Sequence, residues 1–131
     1  RGGMPPQGGG SRYMAPENQK GHEYDHKVDV FSYSIIAYET LAKTRAYNDL
    51  YLNGDQVANA VANNKLRPTV PEHWPEEVRV LLSRCWAPVA GDRPEFSEVA
   101  ELLRKFKRVA DVKPDIYEAL EKNKSACCVI S

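Results

Sequence analysis

The chain has no surplus of charge: 18 Lys and Arg stand against 18 Asp and Glu in 131 residues, for a formal net charge of zero. Nucleic-acid-binding domains carry a basic excess, so nucleic acid is not an expected partner. Cysteine is scarce, with Cys85 and the adjacent Cys127 and Cys128 as the whole complement. Three thiols build no disulfide framework, and no Cys-x-x-Cys or Cys/His cluster has zinc spacing. No metal site is therefore expected, and a reducing, cytoplasmic setting fits. No apolar run approaches the ~20 residues of a membrane helix, and the first residues lack the apolar stretch of a signal peptide. Strict alternation of polar and apolar residues is also missing, which argues against half-buried strands. What remains, at 42% apolar and 27% charged, is a globular composition large enough for one core and too short for a two-lobed enzyme. The chain starts at Arg1 rather than Met, so further residues are expected upstream.

Residues 1–11 hold five Gly, two Pro and a single sizeable apolar side chain, Met4. They read as flexible loop, because so little apolar area cannot offset the entropy of ordering them. Gly8-Gly9-Gly10 has the composition of a phosphate cradle, but G-x-G-x-x-G is not met and no strand precedes it. From Val28 to Leu41 the sequence is apolar nearly all round, as in a helix at the centre of a core. A buried strand is the rival for part of this run, and its length favours helix. Asp25 is a candidate cap, and Asp29 falls in the first turn, where the helix dipole favours a carboxylate.

Residues 42–54 read as a polar, tyrosine-containing connection, followed by a modest helix from about Asp55 to Asn63. Leu66 to Pro71 is extended, because each proline pushes its predecessor out of the helical region. Pro75 suits a first helical position, and Val78, Leu81, Leu82, Cys85 and Trp86 follow at amphipathic spacing. After a turn from Ala87 to Asp92, Phe96, Val99, Leu102, Leu103 and Phe106 mark a second amphipathic helix. Its acids come early and its bases late, in the order the macrodipole favours. A short helix is expected over Asp115 to Asn123. The fold class is thus mainly α.

Four segments in fixed order carry a resemblance. They are Arg12-Tyr13-Met14-Ala15-Pro16-Glu17; Tyr24-Asp25-His26-Lys27-Val28-Asp29-Val30-Phe31-Ser32; Arg67-Pro68-Thr69-Val70-Pro71; and Cys85-Trp86 followed by Asp92-Arg93-Pro94-Glu95-Phe96. Together they resemble the helical C-terminal lobe of a eukaryotic protein kinase, without its N-terminal β lobe, with a lean toward the tyrosine-kinase-like group of serine/threonine kinases. The resemblance implies a remnant of the activation segment over residues 1–11, the lobe itself over 12–109 and a C-terminal tail over 110–124.

The same resemblance implies roles for individual residues. Glu17, the A-P-E glutamate, would pair with Arg93 and tie the activation segment to the core; the alternative is two unrelated surface charges. Asp29 would support the catalytic loop, and its plain alternative is a first-turn helix acid. Gly10, Ser11, Arg12 and Tyr13 would line the floor under a substrate peptide. Gly10 stands where the family has Ser or Thr, with Ser11 one residue late, and Ser34 stands where the central helix usually has Gly or Ala. Cys85 and Trp86 would be core residues without chemistry.

Phosphoryl transfer needs a phosphate-covering loop, a lysine on the phosphates, metal-binding carboxylates and a catalytic base. The family places these in the Gly-rich loop, V-A-I-K, H-R-D-x-x-x-x-N and D-F-G, and none of them occurs among these 131 residues. ATP and Mg2+ are therefore implied for the complete kinase, with none bound by this chain alone. Its expected partners are a protein substrate or the missing kinase N-lobe. Residues 125–131 end in Cys128-Val129-Ile130-Ser131, spelled C-a-a-X. Cys128 is thus a candidate for farnesylation, with Cys127 as a second lipid site and the membrane as a further partner. The alternatives to a kinase part are a truncated or pseudokinase scaffold held at a membrane and an unrelated helical adaptor.

Overall fold

The computed structural model describes residues 8–121, and among these there is no strand. A 3-10 helix, Gly8–Tyr13, leads into α1, Pro16–Gln19. Then come α2, Lys27–Ala42; α3, Gly54–Asn64; α4, Glu76–Cys85; a 3-10 turn, Ala90–Asp92; and α5, Phe96–Val112. Residues 115–121 are helical as well. No described helix is long and apolar enough to cross a membrane.

The nearly all-apolar α2 sits at the centre, as its composition requires. Its Phe31, Ile35 and Tyr38 meet Val57 and Val61 of α3, Val78 and Leu82 of α4, and the indoles of Trp74 and Trp86. Tyr38 lies 5.8 Å from Trp74 and 6.4 Å from Trp86 between ring centroids. Its hydroxyl donates to the Thr69 carbonyl at 3.1 Å, which pins the extended proline-bounded segment to the core. Ser34 is fully buried, and its hydroxyl donates to the Phe31 carbonyl one turn back, so the polar group is satisfied within the helix. A second cluster of Val30, Leu81, Cys85 and Val99 joins α2, α4 and α5. Burial pushes the Cys85 thiol up to about 11, so at neutral pH it is a core residue rather than a nucleophile.

Several local expectations change in the fold. Residues 8–11, read as loop, belong to the first 3-10 helix. The glycines allow the tight turn, and tertiary hydrogen bonds from Ser11 and Arg12 hold it. Helix α3 begins at Gly54 because Asn53 and Gln56 form a reciprocal capping box. Pro75 is the N-cap of α4 rather than its first residue. His26 takes the N-cap position of α2, while Asp25 accepts the Lys27 N–H at 2.9 Å and so still serves the first turn. Along α5 only part of the expected face is covered: Val99 is buried, whereas Phe96 and Leu103 are exposed. The helix expected over 115–123 is present over 115–121, and the rest lies outside the described residues.

The connection over 42–54 departs most from a polar loop. Ala46 and Tyr47 are buried in it, and Tyr47 has φ 63°, a left-handed conformation that an aromatic residue rarely adopts. Burial raises the Tyr47 pKa, and its hydroxyl has no hydrogen-bond partner among the described residues. An unpaired buried hydroxyl costs free energy, so Tyr47→Phe is expected to raise stability by about 1 kcal/mol in urea unfolding. The unfolded tyrosine ionises near pH ~10 while the folded one resists. The native chain therefore keeps its full stability below that pH and loses it as pH rises toward the folded pKa. Tyr47→Phe should flatten that alkaline loss, and an unchanged alkaline slope would contradict this account of the residue.

Candidate functional site

The most constrained polar group in the fold is the Arg93 guanidinium, whose side chain has no exposed surface. Arg93 follows the short 3-10 turn and precedes Pro94, whose fixed backbone turns the chain into α5. Nη1 donates to Glu17 Oε2 at 2.7 Å and Nη2 to Glu17 Oε1 at 2.9 Å, a bidentate pair. Nε donates to the Ala87 carbonyl at 2.9 Å, Nη1 also to the Lys27 carbonyl at 3.1 Å, and Nη2 to Pro88 at 3.5 Å. All five N–H groups thus have acceptors, which is what permits a full cation inside the protein.

Aromatic and cationic neighbours complete this anchor. The Arg93 carbon Cζ lies 5.2 Å from the Phe31 ring centroid, and Arg67 Cζ lies 4.9 Å from the same ring. Arg67 donates to the carbonyls of Trp86 and Leu66, each at 2.8 Å. Burial, reinforced by the charge of Arg93, lowers the Arg67 pKa. Lys27 donates from Nζ to the Arg93 carbonyl, so the two residues hold each other's backbone. The pair expected from sequence, Glu17 with Arg93, is therefore present, and it joins α1, the start of α2 and the turn after α4.

The stretch Gly10–Tyr13 is bound through its side chains to the interior. Ser11 is buried, with its Oγ donating to Asp55 Oδ1 at 3.3 Å. Arg12 donates to the carbonyls of Ala46 at 3.2 Å and Leu52 at 2.9 Å. Tyr13 donates from its hydroxyl to Glu39 Oε1 at 2.8 Å, and Ser32 Oγ donates to the Tyr13 carbonyl at 2.7 Å. Burial, then the hydrogen bond to Glu39, raises the Tyr13 pKa. Gly10, by contrast, is exposed. Side chains 11–13 are thus engaged in anchoring, with Ser11 buried and Arg12 and Tyr13 half-buried.

Glu39 and Trp74 were not legible as important in the sequence. Glu39 accepts from the Tyr13 hydroxyl and, through Oε2, from the Ala46 N–H at 2.8 Å, so one carboxylate ties the 3-10 segment to the 42–54 connection. Trp74 is almost fully buried beside Tyr38. Its only sequence signal is a large aromatic residue before the proline that opens α4. Asp29 is exposed in the first turn of α2, and its carboxylate has no hydrogen-bond partner among the described residues. Cys127 and Cys128, with Lys122 and Lys124, lie outside the described residues.

Removing one partner of a buried pair strands a charge, so Arg93→Ala is expected to destabilise the chain by about 3–5 kcal/mol in urea unfolding followed by circular dichroism. Arg93→Lys should recover less than half of that loss, because an ammonium cannot reproduce the planar fork. A loss below about 1 kcal/mol for Arg93→Ala would place the pair among ordinary surface bridges.

Comparison with known proteins agrees with this geometry. The family described as protein tyrosine and serine/threonine kinase matches residues 7–103. The chain is 43% identical over 95 residues, 72% of its length, to the dual specificity protein kinase shkB of Dictyostelium discoideum, of which the match covers 14%. It is 39% identical over 116 residues, 88% of its length, to a serine/threonine-protein kinase of Arabidopsis thaliana, of which the match covers 19%. The chain thus spans a small part of the curated relatives it matches. On the extent of the family match and the order of its motifs, the chain belongs to the protein tyrosine and serine/threonine kinase family.

Proposed function

We propose that these residues form the part of a serine/threonine or dual-specificity kinase domain that anchors the end of the activation segment and offers a backbone floor to a protein substrate. The observation that carries this reading is the bidentate Glu17–Arg93 pair, with every guanidinium N–H satisfied. It fixes the segment after Tyr13 to the start of α2 and to the turn after α4. Inward anchoring of Ser11, Arg12 and Tyr13 supports the same reading, because a floor for an extended peptide needs a rigid backbone more than outward side chains.

ATP and Mg2+ belong, on this reading, to the complete enzyme. The residues present do not fit them: no phosphate-covering glycine loop, no V-A-I-K lysine and no H-R-D or D-F-G acid occurs in the chain. Among the described residues no group of three His, Cys, Asp or Glu side chains could hold a metal ion. No step of phosphoryl transfer is assigned to this chain.

The purified chain is expected to transfer no phosphate from radiolabelled ATP to casein. A chimera in which it replaces the matching segment of shkB is expected to regain protein phosphorylation. Transfer by the chain alone overturns the proposal, as does a folded, ATP-binding chimera without transfer.

A second reading, a scaffold tethered by lipid, rests on the C-a-a-X spelling at Cys128. On that reading the chain made in a eukaryotic host carries the mass of a farnesyl group. An unmodified C-terminal peptide in every preparation overturns it.

A further inference from the structure

Two tyrosines of the 42–54 connection take the left-handed backbone region, Tyr47 at φ 63° and Tyr51 at φ 55°. For a bulky aromatic residue this conformation is an outlier that surrounding structure has to hold in place. Among the described residues the other non-glycine cases are Lys43 and Lys65, which close α2 and α3 as helix caps. At Tyr47, burial in the core around α2 offsets the strain. Tyr51 has neither role: it closes no described helix, and it is 96% exposed. A single exposed apolar residue is ordinary on a protein surface, but a strained one beside a second exposed apolar residue, Leu50, is not.

Both stems of this tip are fixed. The Ala46 N–H donates to Glu39 Oε2 at 2.8 Å, and the Ala46 carbonyl accepts from Arg12 at 3.2 Å. On the far side, the Leu52 carbonyl accepts from Arg12 at 2.9 Å. Between them the Asn48 N–H donates to the Arg45 carbonyl at 3.3 Å and the Leu50 N–H to the Tyr47 carbonyl at 3.1 Å. A ring almost wholly in solvent is therefore presented on a braced turn. The brace is Arg12, one of the four residues of the proposed peptide floor, so Tyr51 lies one residue from a direct floor contact. Asp55, just beyond the tip, accepts from Ser11 of the same floor at 3.3 Å. The exposed charges of the connection, Arg45 and Asp49, are opposite in sign, which leaves an apolar, aromatic surface as the distinguishing chemistry of the tip.

We propose that Leu50 and Tyr51 extend the peptide floor and receive an apolar side chain of the protein substrate, an inference that rests on the role proposed above for Gly10–Tyr13. Tyrosine suits such a contact, because it offers a large, rigid apolar face with few rotatable bonds to order. The partner gains its affinity from covering the ring, so an apolar or aromatic residue is preferred there over an acidic one.

The test titrates the isotope-labelled 131-residue chain, followed by amide NMR, with peptides of Gly and Ser around one central Thr. Each peptide carries a single Phe, moved through the positions in turn, and a matched set carries Asp in its place. The best Phe peptide is expected to shift the amides of Leu50 and Tyr51 together with those of Ser11–Tyr13 and to bind at least about fivefold tighter than its Asp counterpart. Tyr51→Phe should keep that preference, and Tyr51→Ser should abolish it while the amides of the core stay in place, since the ring is almost wholly in solvent. Shifts at Ser11–Tyr13 without any at Leu50 and Tyr51, or a Phe preference that survives in Tyr51→Ser, overturn the inference and leave the proposed floor standing. Shifts at the tip alone overturn it as well, because the partner is then not a peptide on the floor. If no peptide moves either segment, the inference and the floor fail together.

Discussion

A guanidinium with no exposed surface is tolerable only if each of its five N–H groups meets an acceptor, and around Arg93 this demand organises much of the fold. Glu17 supplies two acceptors, and the carbonyls of Lys27, Ala87 and Pro88 supply the others. Each acceptor sits on a segment that must be correctly placed for the charge to be satisfied, since a missing partner inside low dielectric leaves an uncompensated cation. The packing of α1, the start of α2 and the turn after α4 is in this sense one constraint. Phe31 lies beneath both Arg93 and Arg67, which makes the ring of the central helix a platform for two cations as well as an apolar core residue.

A second polar tie, centred on Glu39, does for the 3-10 segment what Arg93 does for α1. Its two oxygens receive the Tyr13 hydroxyl and the Ala46 N–H, while Arg12 reaches carbonyls on either side of the same connection. Gly8–Tyr13 and the 42–54 connection are therefore held as one surface despite their separation in sequence. This is how a glycine-rich stretch with little apolar area acquires a defined shape: the side chains of Ser11, Arg12 and Tyr13 donate to acceptors on other segments.

Apolar surface is distributed unevenly. The core around α2 is closed, but Ile36 on α2, Val80 on α4 and Phe96 and Leu103 on α5 remain exposed. The match covers only 14% of shkB and 19% of the Arabidopsis thaliana kinase. A lobe cut from a larger packed body is expected to show such faces.

Much of the helical content was legible because periodicity is a local signal: α2, α4 and α5 follow from the spacing of their apolar residues, and the A-P-E and R-P motifs named Glu17 and Arg93. The ends of helices were less so. Helices α2 and α3 both close on a lysine in left-handed conformation, Lys43 at φ 57° and Lys65 at φ 56°, where glycine is the usual residue. Tyr47 and Glu39 gave no signal, because their roles come from partners distant in sequence. The sequence by itself determined the helical class, the family and the identity of the buried pair, since each is written in short-range patterns of residue type. Only the tertiary structure decided that the side chains of residues 11–13 turn inward, that a tyrosine in the 42–54 connection belongs to the core and that α5 keeps an open apolar face. Those outcomes depend on which surfaces meet after the helices pack, and packing is a long-range property that no single segment encodes.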